Sequence, residues 1–338
     1  MPFHRRLACK LNYFQSIILM FAAVILIGAA LLMLPISAQE RTVTPFHEAL
    51  FTATSAVCVT GLVVRDTASH WSAFGQAVLM VLIQIGGLGV ITVGASFSLL
   101  SGRRISLSQR GRMQEAMSAP KVGGIVRLTG FVIRASLMIE GIGALCMLPV
   151  FCRDFGVSGI WKAVFHSVSA FCNAGFDLMG TLDMPFVSLT AYRADPVINL
   201  TISALIVVGG IGFLTWDDVR TNRLCFHRYR LQSKVILAAT ALLILLPTLY
   251  FFCFEFKGGT LRERLLLSLF QSVTPRTAGF NTADYTSLSS SGRGLTILLM
   301  FIGGSPGSTA GGIKTTTAAV LVANAFNVRA ADGRKSGP

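Results

Sequence analysis

Six stretches of this chain are long, apolar and nearly free of charge, and they leave few folds open to it. Residues 17–34, 72–100, 196–216, 235–254 and 294–313 carry no Asp, Glu, Lys or Arg, and residues 135–152 carry only Glu140. A helix that crosses the hydrocarbon core of a bilayer needs roughly 20 mostly apolar residues, so each stretch is a candidate span. Composition agrees, because 53% of the 338 residues are hydrophobic and only 13% are charged, whereas a water-soluble domain has about a quarter charged. The first stretch follows Arg5, Arg6 and Lys10 as a signal peptide's apolar core would. It is long, however, and no small-x-small cleavage site precedes Pro35, so it reads as a retained helix.

Between the members of each pair lies a second kind of segment, apolar but too short to cross: residues 49–64, 163–176 and 265–275. Irregular backbone at membrane depth is tolerated only where protein buries it or it lines a water-filled cavity, so three re-entrant segments predict a central pore. The fold expected is an all-α integral membrane protein of repeated helix, re-entrant pore helix, helix units. Three such units are expected, over residues 1–100, 101–220 and 221–328, followed by a polar tail at 329–338.

Charge placement supports this topology. With the N-terminus in the cytoplasm, the segments on that side (1–16, 101–127, 217–234 and the tail) hold seventeen basic residues and four acidic ones, Glu115, Asp217, Asp218 and Asp332. The opposite face is balanced. The excess behind the net charge of +14 therefore lies on the side where positively charged loops are retained, and nucleic-acid binding is not needed to explain it. Seven cysteines stand singly without a CxxC pair, which points to neither a disulfide framework nor a zinc site.

The repetition also reaches individual residues. The re-entrant segments end in Ser55-Ala56-Val57-Cys58-Val59-Thr60-Gly61-Leu62, Ser169-Ala170-Phe171-Cys172-Asn173-Ala174-Gly175-Phe176 and Val273-Thr274-Pro275-Arg276-Thr277-Ala278-Gly279-Phe280. Each glycine is followed, after 25, 34 and 24 residues, by a second glycine cluster beginning at Gly86, Gly209 and Gly303. A half-helix ending at mid-membrane aims its negative C-terminal dipole at the pore, which favours a cation. Turning successive carbonyls toward one axis, where they replace a cation's water shell, demands residues that reach positive φ cheaply. The plainer alternative is that each glycine closes a tight turn or permits close helix packing; three in register favour the first reading.

These motifs, with the later run from Gly303 to Lys314, resemble the membrane subunits of the Trk/Ktr/HKT potassium transporters, most closely the bacterial Ktr type. The resemblance covers about residues 12–325. It implies potassium-channel-like repeats around one pore and potassium uptake across a bacterial inner membrane, with Na+ as an alternative cargo and no tightly bound cofactor. It assigns K+ binding to filter residues Val59, Thr60, Gly61, Asn173, Ala174, Gly175, Thr277, Ala278 and Gly279. Members that favour sodium often carry Ser at the first filter glycine, which here is Gly61. The resemblance further implies an intramembrane gate loop containing Gly303, Gly304, Gly307, Gly311, Gly312 and Lys314, and a homodimer seated on a cytosolic nucleotide-binding regulatory subunit. The loop is also derivable, since glycines cost about 1 kcal/mol each and proline about 3 in a helix interior.

The family has four repeats, and three are legible here, so the chain is expected to be C-terminally truncated. The alternative function is a non-conducting fragment or membrane scaffold that needs a fourth repeat. Gly307 to Thr315 comes near the phosphate-binding pattern GxxxxGK[ST], but Ile313 spoils the spacing and the apolar surroundings are wrong for a nucleotide fold. Lys314 either tunes ion passage or snorkels to the interface. Glu140 either relays a cation or makes a helix-to-helix hydrogen bond. Asp177, two residues past Gly175, either adds negative potential at the outer mouth or is a solvated loop charge. Cys58 and Cys172 share one repeat position and read as small packing residues. His47, Glu48 and His166 form no metal or hydrolytic constellation, and no nucleophile or carboxylate pair suggests an enzyme.

Overall fold

The computed structural model describes residues 13–89, 110–111, 113–114, 124–223 and 225–335. The far end of the second apolar stretch, at 90–100, the first twelve residues and most of the basic segment 101–127 lie outside these. All regular structure among the described residues is helical. In chain order we label α1 (Tyr13–Met33), α2 (Phe46–Val57), α3 (Thr67–His70), α4 (Ala73–Leu88), α5 (Ile125–Phe155), α6 (Ser158–Phe171), α7 (Pro196–Gly210), α8 (Phe213–Asn222), α9 (Leu231–Tyr250), α10 (Leu261–Val273), α11 (Ser290–Phe301) and α12 (Thr315–Lys335).

Among the described residues, α1, α5 and α9 with its π-helical extension to Glu255 are long and apolar enough to cross a bilayer; α7 and α8 together would make a fourth span. Each long helix is followed by a short one, α2, α6 and α10, packed against it. Local chemistry sets where these elements start. Asp195 caps α7 by accepting from the amides of Val197 (2.9 Å) and Ile198 (3.1 Å), ahead of Pro196 at the first helical position. Thr260 caps α10 by accepting from the Glu263 amide at 3.3 Å, and Ser289 caps α11 by accepting from Gly292 at 3.0 Å.

The interior is aromatic around α6. Phe151, Phe165, Phe171, Phe176 and Phe280 are fully or almost fully buried in one cluster. The exterior is apolar as well: Leu145, Leu245 and Ile297 are each 66% exposed, a surface suited to lipid rather than water.

One stretch departs from the sequence expectation. Residues 196–216 do not make one straight helix, because α7 and α8 meet at 96°. Gly212 takes φ of 89° there, and the Phe213 amide leaves the helix ladder to donate to the Gly307 carbonyl at 2.8 Å. Residues 294–313 are helical only to Phe301, where the glycine- and proline-rich run begins, and the backbone of 302–314 folds on itself: Gly303 donates to Ile313 (3.0 Å), Gly304 to Gly311 (3.1 Å) and Thr315 to Gly304 (3.1 Å). At the C-terminal end, α12 runs on into the polar tail as far as Lys335.

Candidate functional site

The short helices α2, α6 and α10 all end where the backbone changes hand. Val59, Asn173 and Thr277 have φ of 55°, 58° and 78°, and Gly61, Gly175 and Gly279 have φ of 75°, 72° and 91°. The residue between each pair, Thr60, Ala174 or Ala278, is not among the positive-φ positions. Such alternation turns successive carbonyls to one side of the chain instead of the two sides of a strand. Sequence reasoning anticipated the glycines. It missed that a second positive-φ residue precedes each one, and for β-branched Val59 and Thr277 that geometry is costly.

Local hydrogen bonds hold these turns. The Thr60 amide donates to the Ser55 carbonyl (2.9 Å), the Ala174 amide to Ser169 (2.8 Å) and the Gly279 amide to Thr274 (3.2 Å). Past each of the last two glycines, a hydroxyl of the short helix ties the chain back, Ser169 Oγ to the Phe176 carbonyl (2.7 Å) and Thr274 Oγ1 to the Phe280 carbonyl (2.6 Å). By contrast, no described group donates a hydrogen bond to the carbonyl oxygens of Val59, Thr60, Gly61, Asn173, Ala174, Gly175, Thr277, Ala278 or Gly279. Nine free acceptors in three neighbouring turns are a concentrated negative potential without internal compensation.

The three turns are adjacent. A Cβ at Gly61 would sit 2.7 Å from the Ala174 carbonyl oxygen, one at Gly175 would overlap the Ala278 carbonyl, and one at Gly279 would meet only the Gly175 Cα at 3.7 Å. The first turn therefore lies against the second and the second against the third. Ala174 is buried, whereas Thr60 and Gly279 are exposed. Gly86 and Gly209 let α4 and α7 pass against the last carbonyls of α2 and α6, those of Val57 and Phe171, where any side chain would overlap.

Residues 302–314 lie beside this centre. Gly303 and Gly304 are buried, Gly311 and Gly312 are exposed, and Gly307 and Gly312 have positive φ. The Lys314 Nζ donates to the Ala310 carbonyl at 2.8 Å, within the loop. Ser305 donates its amide to Gly210 (2.9 Å) and Thr309 its amide to Gly209 (3.2 Å), which fastens the loop to the end of α7. A cavity of about 210 Å³ is lined by loop residues Gly307 to Gly311 together with Val59, Gly86 and Phe213.

The remaining candidates fall into distinct places. Glu140 on α5 accepts from Gln84 Nε2 of α4 at 2.9 Å, the helix-to-helix bond among its two expected roles. Cys172 is buried, its thiol 3.8 Å from Gln84 Oε1, but Cys58 is exposed and so does not share the packing role expected of both. His47 and Glu48 part company with His166. Glu48 is gripped by Arg65 through two contacts of 2.8 and 3.1 Å, which brace α2 against the chain leaving Gly61. His166 is fully buried, with Nδ1 2.7 Å from the Lys162 carbonyl and Nε2 accepting from the Leu178 amide at 3.3 Å, so it braces the chain leaving Gly175. Asp177 accepts from the Met179 amide at 3.0 Å. Burial pushes its carboxyl up to about 6, against the counter-effects of that amide and of Lys162, with Asp66 adding to the rise.

Sequence reasoning passed over Arg276. The residue is 9% exposed, and its Nε is buried with no partner among the described residues. It lines a cavity of about 10 Å³ with Asn173, Thr240, Gly304 and Ala310. The signal was visible as a lone charge between Leu265 and Phe280, in a segment otherwise suited to the bilayer.

A family described as TrkH, cation transport protein, matches residues 10–332. The chain is similar to the potassium/sodium uptake protein NtpJ of Enterococcus hirae, 42% identical over 94% of this chain and 70% of that protein. It is likewise similar to the Ktr system potassium uptake protein B of Bacillus subtilis, 42% identical over 91% of this chain and 69% of that one. Among solved structures, the potassium transporter TrkH from Vibrio parahaemolyticus shares the fold, with a TM-score of 0.68 at 18% identity. That match covers 94% of this chain, which spans 63% of the length of that structure.

Proposed function

We propose, from the premise that the chain belongs to the TrkH family of cation transport proteins, which are not enzymes, that it carries potassium across a membrane along the axis its three glycine turns share. The observation that carries this reading is the set of nine unbonded carbonyls on turns of alternating hand. Oxygens of that kind, held at fixed spacing with no donor of their own, replace the hydration shell of a weakly hydrated monovalent cation. On this reading K+ is the cargo and Na+ a competitor, held at Val59, Thr60, Gly61, Asn173, Ala174, Gly175, Thr277, Ala278 and Gly279. The relatives named for potassium or potassium/sodium uptake support the choice of ion.

Gly303, Gly304, Gly307, Gly311, Gly312 and Lys314 then form the gate, because a loop held by a few hydrogen bonds beside a water-sized space can withdraw at modest cost. The three pore repeats would occupy residues 1–100, 101–220 and 221–328 of a bacterial inner-membrane protein with its N-terminus in the cytoplasm. The basic cytoplasmic face suits a homodimer docked on a cytosolic nucleotide-binding regulatory subunit. A second reading is favoured by the exposure of Thr60 and Gly279 beside the buried Ala174: the three turns conduct only when further protein covers the flank between the third and the first, and alone they form a non-conducting scaffold.

The test is growth of uptake-deficient cells at limiting K+, with 86Rb+ influx measured in parallel. Rescue by the native chain and loss of rescue by Gly175→Ala are expected. Wild-type influx no greater than that of an empty vector would sink autonomous transport; rescue only when a fourth repeat is co-expressed would establish the second reading.

A further inference from the structure

Of the three left-handed residues that precede the glycines, Asn173 alone has a side chain bonded to the loop at 302–314 among the described residues. Asn173 Nδ2 donates to Thr309 Oγ1 at 2.9 Å, and lies 3.4 Å from the carbonyls of both Phe171 and Ile206. The same Thr309 hydroxyl donates to the Phe171 carbonyl at 3.0 Å. One hydroxyl thus receives from the residue that opens the middle turn and gives to the residue that ends its helix, using its single proton and one lone pair. Val59 has no polar side-chain atom, and Thr277 Oγ1 is buried without a partner. Asn173 is 1% and Thr309 6% exposed, so water cannot take over these bonds.

We infer that Thr309 is a positioning residue for the middle glycine turn: through Asn173 and the Phe171 carbonyl its hydroxyl latches that turn to the glycine-rich loop, so that neither rearranges independently of the other. Three further features converge on the same point. The Thr309 amide is fixed to Gly209 at 3.2 Å, the neighbouring Gly210 carbonyl holds Ser305 at 2.9 Å, and Gly209 has no side chain where α7 crosses the Phe171 carbonyl. Withdrawal of the loop would pull the hydroxyl away and leave Asn173, held at φ of 58°, without the bond that offsets its strain. Linkage makes the effect reciprocal: whatever orders the turn, a cation included, also holds the loop. The cation arm rests on the function proposed above; the latch itself does not.

Hydrogen exchange read by mass spectrometry on the purified full chain tests the latch in both directions. Thr309→Val keeps the shape and removes the hydroxyl, and it is expected to speed exchange at residues 173–175 about tenfold in potassium-free buffer, the factor that loss of one buried hydrogen bond gives. Asn173→Gly accepts the positive φ without strain and removes the amide group; it is expected to speed exchange at residues 304–310 by a similar factor. Thr309→Ser should match the native chain. The latch is overturned if each variant loosens only its own segment, or if α5 accelerates as much as the partner segment, which would make the effect one of general stability. Adding KCl in place of N-methylglucamine chloride should slow both segments in the native chain and only residues 173–175 in Thr309→Val. A native chain indifferent to KCl would contradict the proposed ion site, while the comparison of variants without potassium would still decide the latch.

Discussion

Gly175 and Gly279 have the same backbone hand and different neighbours, so they separate the conformational from the steric demand of a glycine turn. Alanine at either position meets the left-handed penalty of about 1–2 kcal/mol. At Gly175 it would also overlap the Ala278 carbonyl, whereas at Gly279 the nearest atom is 3.7 Å away. Gly175→Ala is therefore expected to lower the melting temperature and 86Rb+ influx more than Gly279→Ala; equal effects would mean that the contact between turns carries no weight. Asp177 offers a pH prediction. Because its folded pKa is raised to about 6 from 3.8, lowering the pH through that window lets the folded chain keep a proton that the unfolded chain releases nearer 3.8. Acid in this range favours the fold at this group while it removes a negative charge beyond Gly175. Influx at subsaturating Rb+ is expected to fall about twofold between pH 7 and pH 5, the weight of one charge acting through water over about a Debye length. Asp177→Asn should be flat across the same range.

The helices were easier to foresee than the breaks between them. Hydropathy alone located α1, α5 and α9, and the glycine spacing located the ends of α2, α6 and α10, because lipid and backbone sterics act on a residue whatever surrounds it. The 96° turn between α7 and α8 was not legible. Gly209-Gly210-Ile211-Gly212 permits either a straight or a bent helix, and the bend is chosen by the Gly307 carbonyl, 95 residues later in the chain, which captures the Phe213 amide. The Lys314 bond to the Ala310 carbonyl was not legible either, because the sequence does not say how a glycine-rich loop folds on itself. Lys314→Met removes the bond to Ala310 and should raise 86Rb+ influx severalfold at unchanged half-saturation, as expected of a loosened gate rather than an altered ion site. A shift in half-saturation with no gain in maximal rate would contradict that role.

Taken together, the helices expose apolar sides outward, as a membrane protein must, and the three neighbouring turns add nine carbonyls without donors among the described residues. On the charge asymmetry the N-terminus is expected in the cytoplasm, and two exposed positions test that orientation. Leu182, 84% exposed in the loop after Gly175, should become reactive to an impermeant maleimide on intact cells when replaced by Cys. Cys225, exposed in the loop between α8 and α9, should react only after permeabilisation, with Cys225→Ser as its background control; the reverse pattern would invert the topology. The nine carbonyls also bear on the protein's durability. Undonated oxygens on neighbouring turns repel, and Val59, Asn173 and Thr277 are held in conformations they would otherwise leave. If the proposed ion site holds, a bound cation would relieve both costs, and at a hundredfold excess over its dissociation constant it would contribute about 2.7 kcal/mol to the folded state. The melting temperature should accordingly rise with KCl and remain low in N-methylglucamine chloride at equal ionic strength. The transported ion would then also be a structural component of its transporter, and a cell starved of potassium would wear out its uptake protein fastest when it needs it most.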